Sequence, residues 1–290
     1  MFFGQKLALG RVRTLFRGLL DQFSGAAAAY SLRKLSSSTT NVVRVRRASD
    51  NDEKDFTASQ IESGEMVNWV TEGSATADGF VETWYDQSGN GRDATQSVAG
   101  NQPKIVDAGS LVAGGLDFDG ANHYLLKTEV ELIQTDDVLS LYTVSTIDDV
   151  STRGRIVGDN YYNASSNNAG FIFEVKAANI PTGIAVYFDD VVQKQVGLAS
   201  VTEASESLFS LTLNGGISGF YINGNLEESR SSTSMKSTVG EGGGGFVIGA
   251  AAWGLPFDGK IKEIIVYNSD TSGNRTAIEG NINAHYDIYA

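Results

Sequence analysis

From Val42 to Asn268 the chain is a succession of short β-prone segments broken by turn clusters, and this rhythm constrains the fold more than any other feature. The candidate strands are VVRVRR (42–47), LYTVSTI (141–147), AGFIFEVKA (169–177), IAVYFDD (184–190), SLFSLTLNG (207–215), GFYINGNLEES (219–229), GFVIGA (245–250) and KIKEIIVYN (260–268). Strands at such spacing, with no long helical stretch between them, predict an all-β sandwich or barrel. VVRVRR alternates apolar and basic residues, which suits a strand with one wet face. Asn223-Gly224, between FYI and LEES, reads as a two-residue hairpin turn. The 33 glycines against 3 prolines fit many tight turns. Near the end, Ile278, Ile282 and Tyr286 recur at helical spacing and predict a short terminal helix.

At 290 residues and 41% hydrophobic content the chain can bury one large core. We read a single sandwich over residues 25–290 preceded by an arm, residues 1–24. The arm carries Lys6, Arg11, Arg13 and Arg17 against Asp21 alone, on a protein whose formal net charge is -13. Its apolar residues Val12, Leu15, Phe16, Leu19, Leu20 and Phe23 fall on one helical face. A helix this short needs a partner surface, which its own sandwich, another subunit or a membrane could supply. Leu15, Phe16, Leu19 and Phe23 are the candidate assembly residues.

Composition excludes several functions. No apolar run approaches the ~20 residues that span a bilayer, and the basic residues of the arm break up any signal-peptide core, so synthesis in a cytoplasm is expected. Zero cysteines remove disulfides and thiolate metal sites. The acidic balance disfavours nucleic-acid backbones.

GFVETWYDQSGNGRD (79–93) runs an aromatic strand into a turn rich in Gly, Asn, Ser and Asp. Together with Gln102-Pro103 and LDFDG (116–120), it resembles the laminin G-like, concanavalin A-like sandwiches related to the catalytic domain of fungal arabinofuranosidase, versions of which occur in bacteriophage virion proteins. The similarity extends to SGAAAAYSLRKLSSS (24–38), VVRVRRASDNDEKDF (42–56), GKIKEIIVYN (259–268) and IEGNINAHYDIY (278–289). It implies a jelly-roll sandwich. It also implies a virion structural protein (tail, fibre or capsid-decorating) that displays a glycan-binding domain, with the arm on other virion proteins, a host-surface glycan as ligand and, by analogy with fibres, a homotrimer. A glycoside hydrolase and a purely structural module are the alternatives.

For the chemistry, Asp86, Ser88, Asn90 and Gly91 mimic the opening of a calcium loop. Its twelfth position is Ser97 rather than a bidentate glutamate, so a structural turn is the better reading and no cofactor or metal is assigned. His123 and His285 are the only histidines, too few and too separated in sequence to suggest a triad or zinc site. The resemblance implies a glutamate nucleophile, for which Glu174 is the nearest match although one residue further from Gly170 than the family spacing. It places Trp253 where the acid/base aspartate belongs, with Asp258 the nearby substitute. An indole cannot donate the proton, which argues against hydrolysis. Trp253 is then either a core residue or a platform for a sugar ring, with Glu174, Asp159 and Asn160 as polar partners.

Overall fold

The computed structural model describes residues 17–128, 130–159, 170–175, 184–188, 194–196, 201–231, 235–239, 245–249 and 255–290. In chain order its helices are α1 (Leu19–Gln22), α2 (Ala58–Glu62), α3 (Glu65–Val70) and α4 (Arg275–Tyr286). The strands begin with β1 (Ala28–Ser31), β2 (Val43–Arg47), β3 (Glu53–Phe56), β4 (Gly79–Trp84), β5 (Ala94–Thr95), β6 (Lys104–Asp107) and β7 (Ser110–Leu111). They continue with β8 (Leu116–Asp119), β9 (Leu125–Thr128), β10 (Val138–Ile147), β11 (Gly154–Asp159), β12 (Phe171–Val175) and β13 (Ile184–Phe188). The last are β14 (Lys194–Val196), β15 (Glu206–Asn214), β16 (Ile217–Ile222), β17 (Asn225–Arg230), β18 (Gly245–Ile248) and β19 (Asp258–Tyr267).

Antiparallel pairing arranges these strands in two layers. The first runs β17-β16-β15-β10-β19-β1. The second runs β3-β2-β4-β5-β9-β18-β11-β12-β13-β14. β8 joins the layers by pairing with both β19 and β6. Aromatic side chains lock them face to face: Phe173 of the second layer meets Phe209 and Phe220 of the first at 5.6 and 6.2 Å. Tyr30 of β1 meets Trp84 and Phe246 at 5.8 and 5.7 Å. Ring centroids at these separations are in the favourable range for aromatic pairs.

The centre of the first layer is buried on both faces: Leu139–Ile147 of β10 and Glu263–Tyr267 of β19 are buried without alternation. Ile264 and Val266 enter the inter-layer core. Ile265 and Tyr267, with Tyr142 and Val144, face the other way and are covered by α1 and by Ile278 and Ile282 of α4. The fold is therefore a sandwich with a helical cover on one side, which corrects the expectation of an all-β chain.

The arm's boundary also changes. Leu19 is 1% exposed and packs with Leu20 under the helical cover, with Phe23 partly buried against the same cluster. The Leu20 N–H donates to the Leu35 carbonyl at 2.9 Å, and the Tyr267 hydroxyl donates to the Phe23 carbonyl at 2.7 Å. A Cβ on Gly18 would lie 2.0 Å from the Leu35 oxygen, so this close seating requires glycine. Leu19 thus belongs to the sandwich's own core, because this chain already supplies its apolar partner, and Phe23 packs partly buried against the same cluster. Leu15 and Phe16 lie outside the described residues.

Candidate functional site

The β11–β12 hairpin carries the two carboxylates singled out from the sequence. Gly170 opens β12 at φ +86, where a Cβ would lie 2.5 Å from the Asp159 carbonyl oxygen, so only glycine brings the strands this close. Along β12, Phe171, Phe173 and Val175 enter the core. Strand alternation then puts Ile172 and Glu174 on the opposite, outward face of the layer. Asp159 pairs across from Phe171, on the core face. A register shift between Arg155 and Val157 sets this parity.

Asp159 and Glu174 consequently sit on opposite faces of one hairpin and cannot flank a common ligand, as their joint candidacy required. Asp159 is 1% exposed. The Tyr30 phenol is pushed well above its ordinary value chiefly by burial, then by the charges of Asp86 and Asp93, with Asp159 among the lesser causes.

Glu174 is fully buried and held by two guanidiniums. Arg153 Nε donates to Oε1 at 2.8 Å, and Arg153 Nη2 lies 2.8 Å from the same oxygen. Arg155 Nε stands 3.5 Å from Oε2. Its Oε1 is thus held by a charge-assisted hydrogen bond, while Oε2 makes no hydrogen bond and has Arg155 at ion-pair distance. Trp253 and Asn160 lie outside the described residues.

Asp258, the substitute acid, opens β19 opposite Asp119. Burial, followed by the charges of Asp148, Asp149 and Asp117, raises its carboxyl above the usual aspartate range. His123 is partly buried in the loop after β8, with Nε2 3.4 Å from Asp119 Oδ2. His285 lies in the last turn of α4, where burial lowers its pKa.

The Asp86–Arg92 turn is a clasp. Asp86 Oδ1 accepts from the Ala29 and Ser88 N–H groups, both at 2.9 Å, and Oδ2 accepts from the Arg92 N–H at 3.0 Å. Asn90 Nδ2 donates to the Ala26 and Ala27 carbonyls, each at 3.0 Å. Gln87 accepts from the Leu35 N–H at 2.7 Å and donates to the Ser31 carbonyl at 2.8 Å. These side chains secure β1 to the second layer, which gives the most distinctive segment of the sequence a structural role. Among the described residues no group of three or more His, Cys, Asp or Glu is arranged to hold a metal ion.

Two antiparallel layers with a helical cover on one of them define a β-sandwich. Residues 118–275, more than half of the chain, match the profile of the Concanavalin A-like lectin/glucanases superfamily, and the chain belongs to it. Among solved structures it is similar to a GH54 α-L-arabinofuranosidase soaked with a cyclic sulfate inhibitor, at 14% identity and a TM-score of 0.65. It is similar also to an arabinofuranosidase complexed with arabinofuranosyl-α-1,2-xylobiose, at 15% identity and a TM-score of 0.62. Each comparison covers 89% of this chain and 62% of the other, so the chain spans less than two thirds of those proteins. At such identity the likeness establishes the fold alone. No curated protein matches the chain significantly.

Proposed function

We propose that this chain is a carbohydrate-recognition sandwich, built on the scaffold it shares with arabinofuranosidases, that holds saccharides without cleaving them. Superfamily membership and the likeness to an arabinofuranosidase in complex with an arabinofuranosyl oligosaccharide support the ligand class. The state of Glu174 carries the absence of hydrolysis. A retaining nucleophile must reach the anomeric carbon, with a second carboxyl about 5–5.5 Å away. Glu174 is closed to solvent and turned onto Arg153 and Arg155, while Asp159 occupies the other face. Trp253, with Asn160, stays the sequence-based candidate for the aromatic platform.

A second reading, a glycoside hydrolase with Glu174 as nucleophile and Asp258 as acid, is favoured by the raised pKa of Asp258, because a general acid must hold its proton. Incubation with 4-nitrophenyl α-L-arabinofuranoside separates the two. We expect wild type and Glu174→Gln to release nitrophenol at the same background rate. Turnover by wild type that disappears in both Glu174→Gln and Asp258→Asn would establish the hydrolase instead.

The setting we propose for this module is a bacteriophage particle, with a host-surface glycan as ligand and the stretch containing Leu15 and Phe16 as its attachment. The support is the resemblance of the WYDQSGNG segment to virion proteins and the basic, apolar composition of that stretch. Mass spectrometry of purified particles checks it, and particles lacking the chain would remove this part of the proposal.

A further inference from the structure

β8 is the strand that joins the two layers, and its pairing with the start of β19 sets like charges against each other. Asp119 of β8 is the direct cross-strand partner of Asp258, and Asp117 is the partner of Lys260. The Asp258 side chain lies against Gly120, where a Cβ would come within 3.2 Å of its Oδ2, so it is held beside the end of β8. Directly opposed like charges destabilise an antiparallel pair.

The neighbouring elements add more of the same charge. Asp148 and Asp149 come from the turn after β10, and the Asp148 N–H donates to the Asp258 carbonyl at 3.1 Å. Lys260 opposes them from β19 itself, ion-paired with Asp148 and with Nζ 3.7 Å from Asp117 Oδ1. His123, beside Asp119, adds charge only when protonated. Other cations nearby are engaged with other carboxylates. Arg153 and Arg155, on either side of the Gly154 that packs on Pro256, face Glu174. Lys104 pairs with Asp78 and Asp107, and Lys262 with Glu206.

The two opposed carboxyls respond differently. Asp119 Oδ1 accepts from the Ala121, Asn122 and His123 N–H groups at 3.0, 3.0 and 3.2 Å. Burial works to raise its carboxyl, but these bonds outweigh it and hold Asp119 below the usual aspartate range. Burial and then the charges of Asp148, Asp149 and Asp117 raise Asp258 above that range.

Asp258 also stands where the connection from β18 enters β19, the connection that contains Trp253. Its described ends are fastened by backbone bonds: the Gly120 N–H donates to the Phe257 carbonyl at 3.0 Å, the Phe257 N–H to the Gly249 carbonyl at 3.1 Å, and the Arg155 N–H to the Leu255 carbonyl at 3.0 Å. Repulsion between Asp258 and Asp119 acts directly on the first of these.

We propose that Asp258 is an acid-operated latch: with its carboxyl protonated the start of β19 closes onto β8 and the Asp148 turn, and with the carboxyl charged this seam opens locally more often. The latch goes beyond carbohydrate recognition and does not depend on it. Its sign follows from linkage. A carboxyl whose pKa is higher in the folded chain than in the unfolded one adds stability as pH falls from the raised value towards the unfolded value of about 3.9. The seam is therefore loosest at neutral pH and above, and tightens on acidification.

Native-state hydrogen exchange of the ¹⁵N-labelled full chain, with EDTA present to exclude adventitious cations, tests the latch through the Gly120 and Asp148 amides, which are the seam's own donors. The Leu20 amide, bonded to the Leu35 carbonyl, reports on a distant part of the fold in the same spectra. At a pH of about 7.5 we expect Asp258→Asn to protect the two seam amides about threefold better than wild type, the scale for like charges facing each other across a strand pair. The gain should be smaller at a pH of about 5, where wild-type Asp258 is partly protonated, and smaller in high salt, because a partly exposed charge is screened. It should be larger when measured in a Lys260→Met background, which lacks the opposing cation. Equal protection in wild type and Asp258→Asn at the higher pH, a gain indifferent to pH, salt and Lys260, or a gain shared in full by the Leu20 amide would overturn the latch.

Discussion

Replacing Glu263 by alanine is expected to lower the free energy of unfolding by about 3–5 kcal/mol, the scale for removing one partner of a buried ion pair. Glu263 projects from β19 beneath α4, with 1% of its side chain exposed against 11% for Arg33. Arg33 grips it in bidentate fashion, Nε to Oε2 at 2.7 Å and Nη2 to Oε1 at 2.9 Å. Ser31 Oγ and the Tyr286 hydroxyl donate to the same carboxylate at 2.8 and 3.0 Å. Burial, then the charge of Glu263, pushes the Tyr286 phenol well up, so it remains a donor.

Alanine at Glu263 would leave a covered guanidinium without its anion and the Ser31 and Tyr286 hydroxyls, 3.1 Å apart, with only each other, loosening α4 and β1 together. Thermal unfolding should show a Tm lower by roughly 10 °C. The double variant Arg33→Met with Glu263→Leu should recover most of the loss, because an apolar replacement of similar volume removes both desolvation costs. A Glu263→Ala variant within about 1 kcal/mol of wild type would show that this network does not hold the helical cover in place.

Glu174→Gln is expected to destabilise by about 3 kcal/mol, the low end of the same range because Arg153 is one third exposed and keeps part of its hydration. The substitution preserves shape but deprives Arg153 and Arg155 of their counter-charge. The direction is diagnostic. Catalytic sites are commonly strained, and neutralising a true nucleophile often leaves stability unchanged or raises it. Urea unfolding with an unchanged slope and a lower midpoint is the expected result. An unchanged or higher midpoint would take away the structural role of Glu174 and favour the hydrolase reading.

The strands were legible because each combines β-branched and aromatic residues with bounding turn residues. AGFIFEVKA contains β12, and KIKEIIVYN lies almost wholly in β19. Asn223-Gly224 forms the two-residue turn at φ 51 and 78, with Ile222 paired to Asn225. Ile278, Ile282 and Tyr286 do lie along one terminal helix, packed under the cover.

α2 and α3 were not read from the sequence, since five and six residues leave too short a period and Gly64 separates them. The signal was present in Thr57 and Gln60, which form a reciprocal capping box. Of the basic residues of VVRVRR, only Arg44 keeps a wet face, with 40% of its side chain exposed; α3 covers Arg47, and Phe80 of β4 covers Arg46. Arg47 is 8% exposed and lies 4.7 Å from the ring of Trp69 in α3, while Arg46 lies 4.9 Å from the Phe80 ring.

The site was the less legible part. Whether Asp159 and Glu174 share a face depends on the strand register and on the shift near Arg155, which are long-range properties absent from either segment. The clasp's partners at Ala26–Leu35 lie 50 to 65 positions from it, so its role as a fastening appears only in three dimensions.

Isothermal titration of the intact chain with arabinofuranosyl-α-1,2-xylobiose addresses the central claim most directly. Carbohydrate recognition without cleavage predicts saturable binding, with the oligosaccharide recovered intact from the cell afterwards. Recovery of free arabinose, or no heat of binding from this or any other neutral oligosaccharide of a comparable panel, would contradict it.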